Sequence, residues 1–278
     1  MNLLKLRQDI ETHLIEDLGD GDITTNAIFS SADEGSMQLI AKENGVFSGV
    51  QIIQTAFRIV DPETLIKILV TDGESICKGQ QLAIISGKIS TLLSAERTVL
   101  NLLQRMCGIA SLTKKAVDAL NSPHSKITDT RKTTPGLRML EKYAVRCGGG
   151  SNHRFGLYDA VMIKDNHIAF AGSIKKAVYL VKEYGSHMVR IEVETETKKQ
   201  VLEAVEAGVD VIMLDNRTVE EINQLVPLVP NHILTEASGN IQLENLPEYA
   251  AAQVDYISLG CLTHSYQALD ISAKVWTN

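Results

Sequence analysis

From residue 126 onward, short apolar runs alternate with helical stretches, and this rhythm restricts the fold more than any other feature of the chain. Strand candidates are Lys126–Thr130, Ala160–Lys164, Val189–Glu194, Val209–Leu214, Ile233–Ala237 and Tyr256–Leu259. Helix candidates are Ser173–Tyr184, Thr197–Ala207, Val219–Val226, Leu243–Ala252 and His264–Val275. Apolar strands separated by crossover helices predict a parallel sheet, closed or nearly so. These strands are fewer than the eight of a complete barrel. One more is expected in a segment that reads as loop.

Strand after strand ends in a charged or polar group. The series runs from Asp129–Lys132 through Lys164-Asp165, Glu192 with Glu194, Asp215-Asn216 and Glu236 with Ser238 to Ser258 with Gly260. In α/β barrels the reacting groups gather at the C-terminal ends of the strands. So many ionisable side chains there point to a binding or catalytic face, although loops are polar in any case.

The first hundred residues read differently. Leu3, Leu4, Leu6, Ile10, His13, Leu14 and Leu18 share a helical face. Strand-like runs follow at Ser36–Lys42, Leu65–Thr71 and Leu82–Ser86, with a helix expected over Val50–Val60. A long helix is predicted from Ser94 to about Leu120, with a kink or break expected at Gly108, since glycine costs about 1 kcal/mol inside a helix. A domain boundary is placed there, giving domains 1–107 and 108–278. The C-terminal helix is expected to pack back on the first.

Net charge is −7, which argues against nucleic acid as the main partner. No apolar run suggests a membrane span. Cys77, Cys107, Cys147 and Cys261 are scattered without a CxxC pair, as expected of reduced thiols in a cytoplasmic protein.

Several constellations carry chemistry. In Asp129-Thr130-Arg131-Lys132-Thr133-Thr134-Pro135-Gly136, adjacent bases follow a buried strand, flanked by hydroxyls. Arginine grips a carboxylate or phosphate as a planar fork and lysine as a point charge; a solvated basic turn is the plainer alternative. Gly148-Gly149-Gly150-Ser151-Asn152-His153-Arg154 lets backbone approach a ligand and ends in a switchable donor and a fixed cation. Lys164 closes an apolar strand as a phosphate ligand, a carboxylate clamp, a Schiff-base nucleophile or half of an ion pair. Glu194 and Asp215 end successive strands. They suit Mg²⁺, ribose hydroxyls or a developing cation, or else pair with Lys164. Ser238-Gly239-Asn240 and Leu259-Gly260-Cys261 are small-residue loops of the kind that hold phosphate in this architecture. Arg97, at the start of the long helix, serves a site only if folding or dimerisation brings it there.

GxGxxG after a strand, the Walker A loop, GxSxG, HExxH and metal-spaced Cys/His sets are all absent.

At these residues the chain resembles the quinolinate phosphoribosyltransferases. The segments EDLGDGDITT, AERTVLNLLQRMCGIAS, DTRKTTPGLRMLEKYAV, GGGSNHRFGLYDAVMIKDNH, EVE, LDN, EASGN and SLGCLTHS carry the resemblance, which runs nearly end to end. It implies an N-terminal α/β open sandwich, a C-terminal incomplete α/β barrel of about seven strands, and a homodimer with shared active sites. It further implies that Arg97 from the partner chain, Arg131, His153, Arg154 and Lys164 bind quinolinate. Thr130 would also bind substrate, Lys132 would meet the phosphoribosyl side, Glu194 and Asp215 the ribose and Mg²⁺, and 238–240 with 259–261 the 5′-phosphate. Lys132, Lys164, Glu194 and Asp215 are the implied catalytic group. The family often has a second glycine where Asn240 stands, which puts the geometry of that loop in question.

The implied reaction joins phosphoribosyl pyrophosphate to quinolinate with loss of CO₂. A molybdenum-transport-associated relative of the same fold, a Schiff-base aldolase on Lys164 and a non-catalytic anion sensor are the competing readings. The intact GGGSNHR and IKDNH segments favour the first, and the paired acids count against a sensor.

Overall fold

The computed structural model describes residues 1–276. Two compact units make up the chain: residues 1–114, 134–149 and 266 onward form the first, and 115–133 with 150–265 the second.

In the first unit, α1 (Leu3–Leu18) and α2 (Ile23–Ile28) precede strand β1 (Glu34–Ala41), the two-residue β2 (Gly45–Val46) and α3 (Val50–Val60). Strands β3 (Leu65–Ile68), β4 (Ser75–Ile76) and β5 (Gln81–Lys88) follow, then the long α4 (Ile89–Leu120). Helix α1 starts on Asn2, whose side chain accepts from the N–H groups of Leu4 and Lys5, and buries Leu6, Ile10 and Leu14. Leu3 and Leu4, expected on the same face, are exposed. Helix α3 spans the predicted residues and buries Ile52, Ile53, Ala56 and Phe57.

Two expectations fail here. Helix α4 passes through Gly108 without a break. A methyl group on Gly108 would overlap the main-chain carbonyl of Gln267, so the glycine permits close approach of backbone rather than a bend. The predicted helix over His264–Val275 does not form. Its place is taken by α10 (Cys261–His264) and strand β12 (Ile271–Trp276), which pairs antiparallel with β1 from Ile271↔Ala41 to Trp276↔Ser36. The sheet order is β12-β1-β5-β3. The C-terminus therefore joins the first unit as a sheet strand. Segment 134–149 joins that unit too, as α5 (Arg138–Cys147).

The second unit holds β6 (Lys126–Thr128), β7 (Val161–Ile163), β8 (Ile191–Thr195), β9 (Val211–Asp215), β10 (Leu234–Ser238) and β11 (Tyr256–Ser258). All pair in parallel, in the order β6-β11-β10-β9-β8-β7. A single parallel bridge, Thr128↔Ser151, marks a rudimentary seventh strand beyond β6. This is the open barrel that the alternating pattern predicts. Crossover helices α6 (Asp165–Ala171), α7 (Ile174–Tyr184), α8 (Lys198–Ala207) and α9 (Val219–Leu225) carry the chain back, and a 3₁₀ segment (Leu246–Ala252) replaces the expected helix before β11. Thr197 and Thr218 open α8 and α9 with capping boxes closed by Gln200 and Glu221.

Gly108→Ala is expected to destabilise the protein by about 1–3 kcal/mol through overpacking, against the gain of about 1 kcal/mol that alanine brings to an unobstructed helix. Urea midpoints of the two proteins measure this; a more stable variant would show that the close approach is not confining.

Candidate active site

At the C-terminal ends of the barrel strands lies a cavity of about 710 Å³. From the sequence candidates, Thr130, Arg131 and Lys132 after β6 and His153 with Arg154 after the Ser151 bridge line it. Lys164 after β7, Glu194 on β8, Asp215 on β9, Ser238, Gly239 and Asn240 after β10, and Gly260 with Cys261 after β11 complete the set. The parallel topology does this: each strand delivers its last residues to one rim.

Two candidates stand apart. Leu259 is fully buried, and its N–H donates to the Thr128 carbonyl at 3.0 Å, so it belongs to the barrel core rather than to the lining. Arg97 sits exposed on α4 in the first unit.

The cationic side is built on Asp129, which is wholly buried. Its carboxylate accepts the His153 main-chain N–H at 2.8 Å and the Asn152 amide at 2.7 Å, tying the loop after the glycines to the end of β6. The Arg154 guanidinium donates from Nη1 to the Ala160 carbonyl at 3.1 Å. The Nε atoms of both Arg131 and Arg154 are buried and have no hydrogen-bond partner. Burial, followed by the charge of Arg131, holds the Arg154 pKa below its ordinary value. Two neighbouring guanidinium groups with unmet donors constitute a site prepared for an anion.

Across the cavity, Lys164 Nζ meets Glu194 Oε2 at 2.6 Å. The ion-pair reading of Lys164 is thus realised, and its side chain is still 45% exposed, so it remains open to a ligand. Burial, then the charge of Glu194, raises the Asp215 carboxyl pKa, while the Lys164 charge lowers it. Neighbouring carboxylates whose charges oppose one another offer hard oxygen donors to a divalent cation.

The loop after β10 is built from conformations that few residues accept. Gly239 has φ +89°, and a methyl group there would overlap the Asn216 side chain. Asn240 has φ 54°, the left-handed conformation that asparagine tolerates better than most residues. Asparagine thus adopts here a backbone conformation that a second glycine would also allow. Asn216, itself at φ 53°, donates its N–H to the Ser238 carbonyl at 2.8 Å and accepts from the Asn240 amide at 3.0 Å.

Several lining residues have no counterpart among the sequence candidates. Asn216 and Ser258 were visible only as polar strand ends, and His264 as the start of a predicted helix. Met162, Met213 and Ile241 supply apolar wall, consistent with a flat ring as one ligand.

A recess at the rim of a parallel barrel, with paired arginines on one side, paired acids on the other and tight small-residue loops between, defines an α/β-barrel site for a polyanionic small molecule. Comparison with known proteins narrows the class. Residues 22–107 match the family description "Quinolinate phosphoribosyl transferase, N-terminal domain", and residues 109–274 match its C-terminal counterpart. The chain is 50% identical over 275 residues to a probable nicotinate-nucleotide pyrophosphorylase [carboxylating] of Bacillus subtilis, covering 99% of this chain and 95% of that one. It is 41% identical to quinolinate phosphoribosyltransferase [decarboxylating] 1 of Nicotiana glauca, over 98% of this chain and 83% of that one. The crystal structure of NadC from Streptococcus pyogenes superposes with a TM-score of 0.96 at 41% identity, covering 100% of this chain and 99% of that one. The chain belongs to the quinolinate phosphoribosyltransferase family.

Lys164→Met removes the cation that counters burial and Glu194 at Asp215, so the Asp215 carboxyl should hold its proton to higher pH than in the wild type. Carboxyl ¹³C titration of Asp215 reads this directly; a lower midpoint in the variant would mean that Lys164 does not act on that acid.

Proposed function

We propose that this chain transfers the phosphoribosyl group of 5-phosphoribosyl 1-pyrophosphate to quinolinate with decarboxylation, yielding nicotinate mononucleotide, CO₂ and pyrophosphate, a step of NAD biosynthesis. One observation carries the reading: the buried, unpartnered guanidinium donors of Arg131 and Arg154 share a cavity with the acids Glu194 and Asp215. Quinolinate bears two adjacent carboxylates, which such a pair of forks suits. Lys164, exposed enough to reach a ligand, adds a third cation.

The chemistry follows from the same placement. The pyridine nitrogen attacks C1′ of the ribose as the bond to pyrophosphate breaks. Positive charge develops on the sugar, and carboxylates held beside it stabilise that charge without reorganising. Lys132 and the loops at Ser238–Asn240 and Gly260–Cys261 hold the phosphate groups, the loops chiefly through main-chain N–H groups. The quaternary ring nitrogen then accepts electron density. The bond to the C2 carboxylate breaks, CO₂ departs, and the electron pair left on C2 takes a proton. Apolar wall at Met162, Met213 and Ile241 favours that loss, because a carboxylate already stripped of water there has little solvation left to lose as it becomes neutral CO₂. Glu194 and Asp215 fit Mg²⁺, as the repulsion between their like charges indicates, and the ion would neutralise charge on the departing pyrophosphate.

Arg97, exposed on α4, is the cation that a second copy of the chain would contribute, making the active form a homodimer with shared sites. The enzyme is expected to work in the cytoplasm; no helix among the described residues is long and apolar enough to cross a membrane.

Quinolinate, phosphoribosyl pyrophosphate and Mg²⁺ together should yield CO₂ and nicotinate mononucleotide. Arg131→Ala should abolish quinolinate binding, measured by calorimetry, with the fold intact by circular dichroism; normal turnover in that variant would refute the assignment. Arg97→Ala and Lys164→Ala should each be inactive alone, yet recover about one quarter of wild-type activity after their subunits are mixed and exchanged. No recovery would remove the shared site.

A further inference from the structure

Below the arginines, the barrel interior holds a second layer of ionisable groups. Glu192 lies two residues before Glu194 on β8, and a strand's period of two turns both to the same face. Glu236 lies two residues before Ser238 on β10. Glu192 and Glu236 are 7% and 4% exposed, and one oxygen of each has no hydrogen-bond partner. His153 stands between them, with Nε2 2.9 Å from Glu192 Oε2 and 3.8 Å from Glu236 Oε1.

The other ring nitrogen decides the protonation state. His153 Nδ1 accepts the main-chain N–H of Arg154 at 2.8 Å. A nitrogen that accepts carries no proton, so the ring's single proton sits on Nε2, where Glu192 receives it. Both nitrogens are engaged within the protein, leaving the ring no charge to offer a substrate carboxylate.

Three possible ligand atoms of this trio lie within 4.8 Å of one another, close enough for a metal ion. The hydrogen bond at Nδ1 opposes that reading. A histidine bound to metal through one nitrogen normally donates a proton from the other. Here the other nitrogen accepts, so metal at Nε2 would require an imidazolate. A proton accounts for the cluster instead. Burial, then repulsion from Glu192, pushes Glu236 up to about 8, with the Ser258 hydroxyl acting in the opposite direction. The charge of Glu192 favours the charged form of Arg154.

We propose that Glu192 is a positioning residue: by receiving the Nε2 proton of a neutral His153 it fixes the His153–Arg154 turn, so that Arg154 rather than His153 presents positive charge to the substrate. The opposite side of this turn is already held by Asp129 through the His153 N–H. Arg154 is thereby aimed from two sides, from the end of β6 and from β8. The proposal rests on the function given above only for the identity of the substrate.

The test uses the full-length protein labelled with ¹⁵N-histidine, with His153 assigned by the signal missing from His153→Gln. Long-range ¹H–¹⁵N spectra at neutral pH should show His153 as the neutral Nε2–H tautomer. Glu192→Ala should lose that signature and raise the quinolinate KM at least tenfold, about 1.4 kcal/mol. Its kcat and its KM for phosphoribosyl pyrophosphate should stay within about threefold of wild type. Glu192→Gln, whose amide oxygen can still accept from Nε2–H, should keep both the signature and the quinolinate KM. A cationic or Nδ1–H ring in the wild type, a Glu192→Ala enzyme unchanged in both readouts, or stoichiometric metal that Glu192→Ala removes would each overturn the proposal. If Glu192→Ala does not fold, the wild-type and Glu192→Gln spectra still decide it. A protein that turns over no quinolinate would show no KM in any variant, while the tautomer would remain readable.

Discussion

Two guanidinium groups, Arg131 and Arg154, are held side by side at the mouth of the barrel with their Nε donors buried and unmet. Like charges in a poorly solvated place repel, and unpaired donors cost free energy on the order of 1–3 kcal/mol each. A fold keeps such an arrangement only if other parts of the structure hold it. Here the holding groups are acids one layer down. Asp129 fastens the loop that carries Arg154, and Glu192 supplies charge to it without touching the guanidinium. The arginines therefore stay oriented and unneutralised, which suits groups that would receive a ring with two carboxylates and later release one that keeps a single carboxylate.

The acids beside the cavity divide into two kinds by their surroundings. Glu194 and Asp215 line the cavity, one paired with the half-exposed Lys164 and the other with its proton affinity raised. Glu192 and Glu236 are more deeply buried, although Glu236 still reaches the lining, and burial with repulsion from Glu192 pushes the Glu236 carboxyl up to about 8. Strand periodicity generates both kinds from the same elements, since residues two apart on β8 share a face but differ in depth.

Much of this was legible beforehand because parallel strands announce themselves. Each barrel strand is an apolar run followed by polar residues, so the topology and most of the rim could be read from residue order. Other features depend on partners distant in sequence. Strand β12 reads Ile271, Ala273 and Val275 on one face, but its partner is β1, more than two hundred residues earlier, and its apolar residues are equally compatible with a helix. Gly108 looks like a helix breaker until the Gln267 carbonyl is placed against it. His153 reads from the sequence as a substrate cation, and the sequence does not show that Glu192 and the Arg154 N–H lie against its two nitrogens. In each case the residue type was informative and its partner was not.

The overall charge of −7 and a site for anions are compatible because the charges are sorted by depth and by strand. Cations project from the loops after β6 and β7, at the rim, where a ligand meets them. Acids project from β8, β9 and β10, and the deepest of them interact with protein groups rather than with solvent. Attraction falls steeply with distance and with screening, so a dianion entering the cavity responds to the arginines it approaches and much less to carboxylates spread over the remote surface. That separation has a further effect on the reaction. In the proposed reaction the dianionic ring would meet the positive groups and the sugar the negative ones, so the positive charge that develops on the ribose would be matched by the wall beside it.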